Sequence, residues 1–62
     1  MMTMSHALAV IDSVETEMGL EGFVETMEYI NEHYDDALHE VREAFDVVKA
    51  GLFRFFAAQE TA

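Results

Sequence analysis

The sequence predicts an all-helical protein in which a short first helix and a long second helix form a hairpin that self-associates into a coiled-coil-like bundle. Three observations lead to this prediction: apolar residues recur at spacings of three and four, proline is absent, and two neighbouring glycines mark an obvious turn. Residues 1–62 are predicted to be a single helical domain, with helix one over about 5–18, a turn over 19–22 and a long helix over about 22–58.

Helix one is predicted from its apolar face and from signals at both ends. The residues of this face are Ala7, Val10, Ile11, Val14 and Met18. Ser5 is a suitable N-cap, and Gly19 can adopt the left-handed conformation that ends a helix. Leu20 can then supply the hydrophobic contact of a Schellman-type stop. These signals place a helix over about 5–18.

The long helix is predicted from a heptad seam, in which spacings of four and three alternate without a slip. The seam consists of Leu20, Val24, Met27, Asn31, Tyr34, Leu38, Val41, Phe45, Val48, Leu52 and Phe55. Asn31 is the one polar residue in it, and its role stays open. A helix over about 22–58 would be about 55 Å long at 1.5 Å per residue.

A break near residues 31–36 is the alternative to one continuous helix. This stretch contains several weak helix formers, and Asp36 could cap a new helix that begins at Ala37. Continuity is favoured because the seam keeps its phase on both sides of the stretch.

The predicted assembly is an antiparallel homodimer of hairpins, a four-helix arrangement. Ile30, Ala37 and Ala44 widen the apolar face beyond what one partner helix can bury. An antiparallel pair would bring the acidic flank of one copy near Arg42 and Lys49 of the other, although the same charges also suit the dipole of each helix. The predicted interface is Val24, Met27, Tyr34, Leu38, Val41, Phe45, Val48, Leu52 and Phe55.

The C-terminal stretch from Val47 to Ala58 is apolar almost all around the helix. Its polar markers are Lys49 and Arg54, and it is too short to span a membrane. One side of it should meet a second subunit or a different protein, and Phe53 and Phe56 are the candidate partner-binding residues.

The formal net charge is −10, from 13 acidic residues against three basic ones. Such a chain repels phosphate backbones and anionic membranes. The acidity is explained by a solvated surface that maintains solubility, by adaptation to salt, or by mimicry of nucleic-acid charge. The mimic would display a row of carboxylates along the long helix: Glu21, Glu25, Glu28, Glu32, Asp35, Asp36, Glu43 and Asp46.

The sequence gives only weak signals for a metal-binding or catalytic site. Glu32, Asp36, His39 and Glu43 have spacings that share a helix face, as in carboxylate and histidine metal sites, but Asp36 and His39 lie outside the seam, so no metal site is assigned. Cysteine is absent, and no catalytic constellation or cofactor motif is found. We therefore expect a cytoplasmic interaction module, an accessory, adaptor or inhibitor subunit, rather than an enzyme.

Overall fold

The computed structural model describes residues 1–60, with side chains described for residues 1–59. These residues form α1 (Met4–Met18), α2 (Phe23–Glu32), a short 3₁₀ turn (Tyr34–Asp36) and α3 (His39–Glu60). The all-helical prediction is confirmed, and no strand occurs within residues 1–60. None of these helices is both long enough and apolar enough to cross a membrane.

The N-terminal cap of α1 is Thr3, so the prediction of Ser5 was wrong. The backbone N–H of His6 donates to the Thr3 hydroxyl oxygen at 3.1 Å, and Thr3 itself has extended backbone angles. Ser5 and Thr3 are both good capping residues. Capping by Thr3 starts the helix two residues earlier, at Met4, whose Cε lies against Gly51 of α3.

The C-terminal end of α1 follows the predicted stop. Gly19 has φ 63° and ψ 36°, the left-handed conformation that costs glycine little. Its N–H donates to the carbonyl of Thr16 at 3.3 Å, and the N–H of Leu20 donates to the carbonyl of Glu15 at 2.9 Å. This bond pair is the Schellman motif, so the predicted helix end is confirmed.

The prediction of one continuous helix over about 22–58 was wrong. α2 ends at Glu32 and α3 begins at His39. Between them the N–H of Asp36 donates to the carbonyl of His33 at 3.0 Å, and Ala37 then becomes extended with ψ 153°. Asp36 therefore ends the 3₁₀ turn and does not cap α3.

Two physical reasons outweigh the phase of the seam. A continuous helix would align Glu28, Glu32, Asp36 and Glu40 at spacings of four, and each like-charge pair costs about 0.2–0.5 kcal/mol. A straight helix of about 55 Å would also leave most of its apolar face uncovered, because α1 is only about 22 Å long. The break lets α3 fold back against α1 and α2.

The core lies where α3 packs mainly against α1, with α2 closing one side. Its buried apolar residues are Ala7, Val10, Ile11, Ile30, Ala44, Phe45 and Val48. Ala7 and Ala44 are completely buried, and small residues at such positions allow two helices to approach closely. Of the face predicted for helix one, Val14 packs against the core, whereas Met18 is exposed.

Thr26 is the one buried polar residue within the described side chains. Its hydroxyl donates to the carbonyl of Gly22 at 2.8 Å, which satisfies the group inside its own helix. The sequence pattern did not indicate this residue as part of the interior.

The predicted seam is divided between the interior and the surface of one chain. Phe45 and Val48 are buried, and Met27, Tyr34 and Val41 pack against the core. The other predicted interface residues are exposed: Val24, Leu38, Leu52 and Phe55. Asn31 is also exposed. Part of the predicted interface is thus covered by the chain's own helices.

Tyr34 fastens the 3₁₀ turn to α3. Its hydroxyl donates to Oδ2 of Asp46 at 2.8 Å, and its ring packs edge-on against Phe45 with 5.8 Å between ring centroids. The hydrogen bond to Asp46 raises the pKa of the Tyr34 phenol above its ordinary value of 10.0, with smaller contributions from desolvation and from the charge of Asp46. The neutral phenol is therefore the form that the fold favours.

This contact predicts a defined loss of stability at alkaline pH. A folded-state pKa raised above 10.0 stabilises the fold below that pH, and the contribution is lost as pH rises through the folded pKa. An absorbance titration should show a phenol that ionises above its ordinary range in the native protein. Tyr34→Phe should remove that transition, and Asp46→Asn should move it downward. Because Tyr29 also contains a phenol, only a transition above the ordinary range that survives in Tyr34→Phe would contradict the assignment.

Candidate interaction surfaces

The C-terminal part of α3 carries three large aromatic side chains that are exposed to solvent. Phe53, Phe55 and Phe56 keep 74%, 56% and 60% of their surface in contact with solvent. Together with nearby exposed residues they form what we call the aromatic surface: Phe23, Val24, Leu52, Phe53, Phe55 and Phe56. Exposure of this many large apolar groups in one region is typical of an interaction site.

The aromatic surface is exposed because the C-terminal part of α3 extends beyond the helices that cover the earlier part of α3. From residue 52 to 59 every side chain is exposed. The radius of gyration is 12.0 Å, compared with about 10.6 Å for a compact domain of this length. The accessible surface is 4644 Å², compared with about 4,000 Å² for a compact monomer of this mass.

A groove between α2 and α3 joins the aromatic surface. Phe23, Val24 and Met27 line its α2 side, and Phe45 and Leu52 line its α3 side. Polar residues also reach this groove, namely Glu28, Asn31 and Lys49. The ammonium group of Lys49 lies 5.8 Å from the centroid of the Phe45 ring, a cation–π distance. The groove is therefore apolar along its floor and charged at its edge.

The charge of this part of α3 is opposite to that of the rest of the chain. Between Val47 and Gln59 there are Lys49 and Arg54 and no acidic residue, so the segment carries +2. Since the net charge is −10, the remaining residues carry −12, which is −10 minus +2. The described side chains include no carboxylate within 4.0 Å of either basic group. This segment is both aromatic and basic.

A second apolar depression lies on the other side of the molecule, between α1, the 3₁₀ turn and the start of α3. It consists of two adjoining pockets of about 280 and 340 Å³, which share Val14, Glu17, Leu38 and Val41. We call it the Leu38 groove. Its edge is formed by the acidic residues Glu17, Asp36 and Glu40, together with the imidazoles of His6 and His33. Pockets of this size that are open to solvent are better suited to accept the side chains of a binding partner than to enclose a small molecule.

Leu38 occupies a position that folding alone does not explain. Its carbonyl accepts the first hydrogen bond of α3, from the N–H of Arg42 at 3.0 Å, so Leu38 is the N-cap. Leucine is among the poorest N-cap residues because it cannot accept from the free N–H groups of the first turn. The side chain is also 76% exposed. An exposed leucine here contributes neither to the cap nor to the core.

The predicted metal candidates are spread over three elements. Glu32 ends α2, Asp36 ends the 3₁₀ turn, and His39 and Glu43 lie in the first turns of α3. His39 Nε2 lies 3.6 Å from Glu43 Oε1. Within the described side chains, no three His, Cys, Asp or Glu residues are placed to hold a metal ion together. The break between α2 and α3 separates the residues that the spacing had placed on one face.

The same break interrupts the predicted row of carboxylates. Glu21, Glu25, Glu28 and Glu32 precede it, whereas Glu43 and Asp46 lie on α3. Glu43 is additionally engaged by the chain itself, because its Oε2 accepts from the backbone N–H of Met2 at 3.2 Å. The structure therefore does not present these charges along one straight helix.

The sequence indicated Phe53 and Phe56 as candidate partner-binding residues, but it did not indicate the Leu38 groove. The signal was present in Leu38, an apolar residue two positions after a run of weak helix formers, yet the heptad seam assigned it to the predicted interface. Without the helix break, the α1 residues that line the groove, such as Val14 and Glu17, could not be matched with their counterparts on α3.

Comparisons with models of protein families, with curated proteins and with solved structures give no significant match to this chain.

Leu38→Ser should stabilise the protein by about 1 kcal/mol, because a serine hydroxyl can cap α3 where leucine cannot. Thermal unfolding, followed by circular dichroism, measures this change. The matched control is Leu8→Ser, which replaces a leucine that is 44% exposed but lies within α1. That control should lower stability slightly, through reduced helix propensity. A Leu38→Ser protein less stable than the parent would show that Leu38 supports the fold.

Proposed function

We propose that the protein is a small interaction module that acts as a homodimer, in the role of an accessory, adaptor or inhibitor subunit. The observation that carries the proposal is the aromatic surface at the end of α3, whose large apolar groups lie beyond the cover of the chain's own helices. Binding, rather than catalysis, is the role that such a surface supports.

The extent of the aromatic surface fits a subunit contact. With about 200 Å² for a whole phenylalanine side chain, the four exposed phenylalanines alone present roughly 450 Å². A standard interface buries about 800 Å² on each partner, so these rings and the adjoining groove between α2 and α3 supply most of that area. Phenylalanine is also enriched at interface centres.

Charge supports an antiparallel arrangement of the two copies. In a parallel pair of α3 helices, Lys49 of one copy would lie beside Lys49 of the other and repel it. In an antiparallel pair, the basic end of α3 in one copy extends over the acidic α2 of the other, near Glu25 and Glu28. Such pairs select an orientation more than they add stability.

Removing two aromatic rings should break the dimer without unfolding the chain. Phe53→Gln with Phe56→Gln keeps good helix formers and the net charge, and both side chains are exposed in the single chain. Loss of an aromatic hot spot costs about 2 kcal/mol, so the dissociation constant should rise by roughly 30-fold or more. Sedimentation at several concentrations measures it.

The control for this pair is Leu8→Gln, which changes an exposed leucine of α1 that is not one of the residues of the aromatic surface and should leave the dimer intact. A parent protein that sediments as a monomer at every concentration would overturn the dimer proposal.

Orientation can be read by disulfide formation, because the chain contains no cysteine of its own. In an antiparallel pair centred near Arg54, residue 49 of one copy lies near residue 59 of the other, while two copies of residue 59 are about 15 Å apart. A mixture of Lys49→Cys and Gln59→Cys chains should therefore form a mixed disulfide on oxidation. Each variant alone should not, because a disulfide needs Cα atoms within about 7 Å. Efficient homodisulfides of Gln59→Cys would indicate parallel helices.

A further inference from the structure

We propose that the Leu38 groove binds a basic amphipathic helix of a different protein. The inference rests on the proposed interaction role and names the partner class of a second surface, which lies apart from the aromatic surface.

The chain's own helices leave most of the Leu38 side chain uncovered. It is 76% exposed, it lies between the two pockets, and it occupies an N-cap position where a polar residue would serve folding better. Val14 and Val41 beside it are only partly buried. A partner that covers these three side chains would bury apolar surface that the chain leaves in water.

The depression has the length of a short helix. Along α1 its lining runs from His6 to Met18, which is about 18 Å at 1.5 Å per residue. That length matches about three turns of a docked helix. The ring of Tyr29 lies at one end, where its hydroxyl is 3.4 Å from the sulfur of Met18 and its ring packs on His33 at 4.5 Å between centroids.

The negative charge around the Leu38 groove favours a basic partner. Glu17, Asp36 and Glu40 lie at the edge of an apolar floor, and the chain outside residues 47–59 carries a net charge of −12. A docked helix with Lys or Arg on both sides of an apolar ridge would complement this edge. A second copy is a poor occupant, because its one basic segment is used at the aromatic surface in the proposed dimer.

The test uses the full chain and a synthetic helix of about 14 residues, composed of leucine on one face and lysine on the others. Fluorescence anisotropy of the labelled peptide gives the dissociation constant. The parent protein should bind it, and a peptide with glutamate in place of lysine should not bind. Leu38→Ser should weaken binding of the lysine peptide at least tenfold although no charge is changed. Leu8→Ser, the matched control, should bind like the parent.

A second substitution tests the charged edge. Glu17→Gln should weaken binding severalfold and reduce its dependence on salt. Equal binding by the parent and by Leu38→Ser would overturn the proposal, because it would show attraction to net negative charge alone. A Leu38→Ser protein that changes its sedimentation behaviour would also overturn it, since the groove would then be a contact between copies.

The two proposals fail separately. The Phe53→Gln and Phe56→Gln variant should be monomeric and should still bind the lysine peptide with the parent's affinity. Loss of peptide binding in that variant would place the peptide on the aromatic surface and refute the groove. A monomeric parent that binds the peptide through Leu38 would refute the dimer and leave the groove in place.

Discussion

Close packing of α1 against α3 is the contact on which the rest of the structure depends. Ala7 and Ala44 are completely buried, and Gly51 gives room for the end of the Met4 side chain, so the two backbones approach along most of α1. α1 has 15 residues and α3 has 22. Because the partner helix is shorter by about 10 Å, the end of α3 extends beyond it, and the aromatic surface is a direct consequence of this difference in length.

The break between α2 and α3 determines the direction of α3 and the position of its first residues. With α2 and α3 joined by a 3₁₀ turn, α3 reverses direction, and its first residues come beside α1. This geometry creates the Leu38 groove and places the hydrogen bond from Tyr34 to Asp46 across the turn. One local feature of about six residues therefore decides both the topology and the position of a candidate site.

The sequence was informative where local chemistry is sufficient. Periodicity located α1, and Gly19 located its end, since a glycine followed by an apolar residue is a self-contained signal. The exposed aromatic residues of α3 were anticipated because residues 47–58 are apolar around the whole helix. These features do not depend on the arrangement of distant parts of the chain.

The sequence was misleading where two local signals competed. The phase of the seam favoured continuity, whereas the carboxylates of Glu28, Glu32, Asp36 and Glu40 opposed it, and several weak contributions decided the outcome. The Leu38 groove could not be derived at all, because it joins residues of α1 and α3 whose proximity follows from the break. A heptad spacing that stays in phase across a stretch of sequence shows that the residues can share a face. It does not show that they lie on one continuous helix.

Leu38 illustrates how a conflict between levels of structure can indicate function. A protein of 62 residues with a small core gains from every good helix cap, and α3 begins with a residue that cannot cap it. The position is also exposed, so packing offers no compensation within the chain. Natural sequences are locally consistent except where function requires otherwise. A leucine that weakens a helix start and is 76% exposed is best explained by a contact that forms in a complex, and an acidic edge around it favours a basic partner.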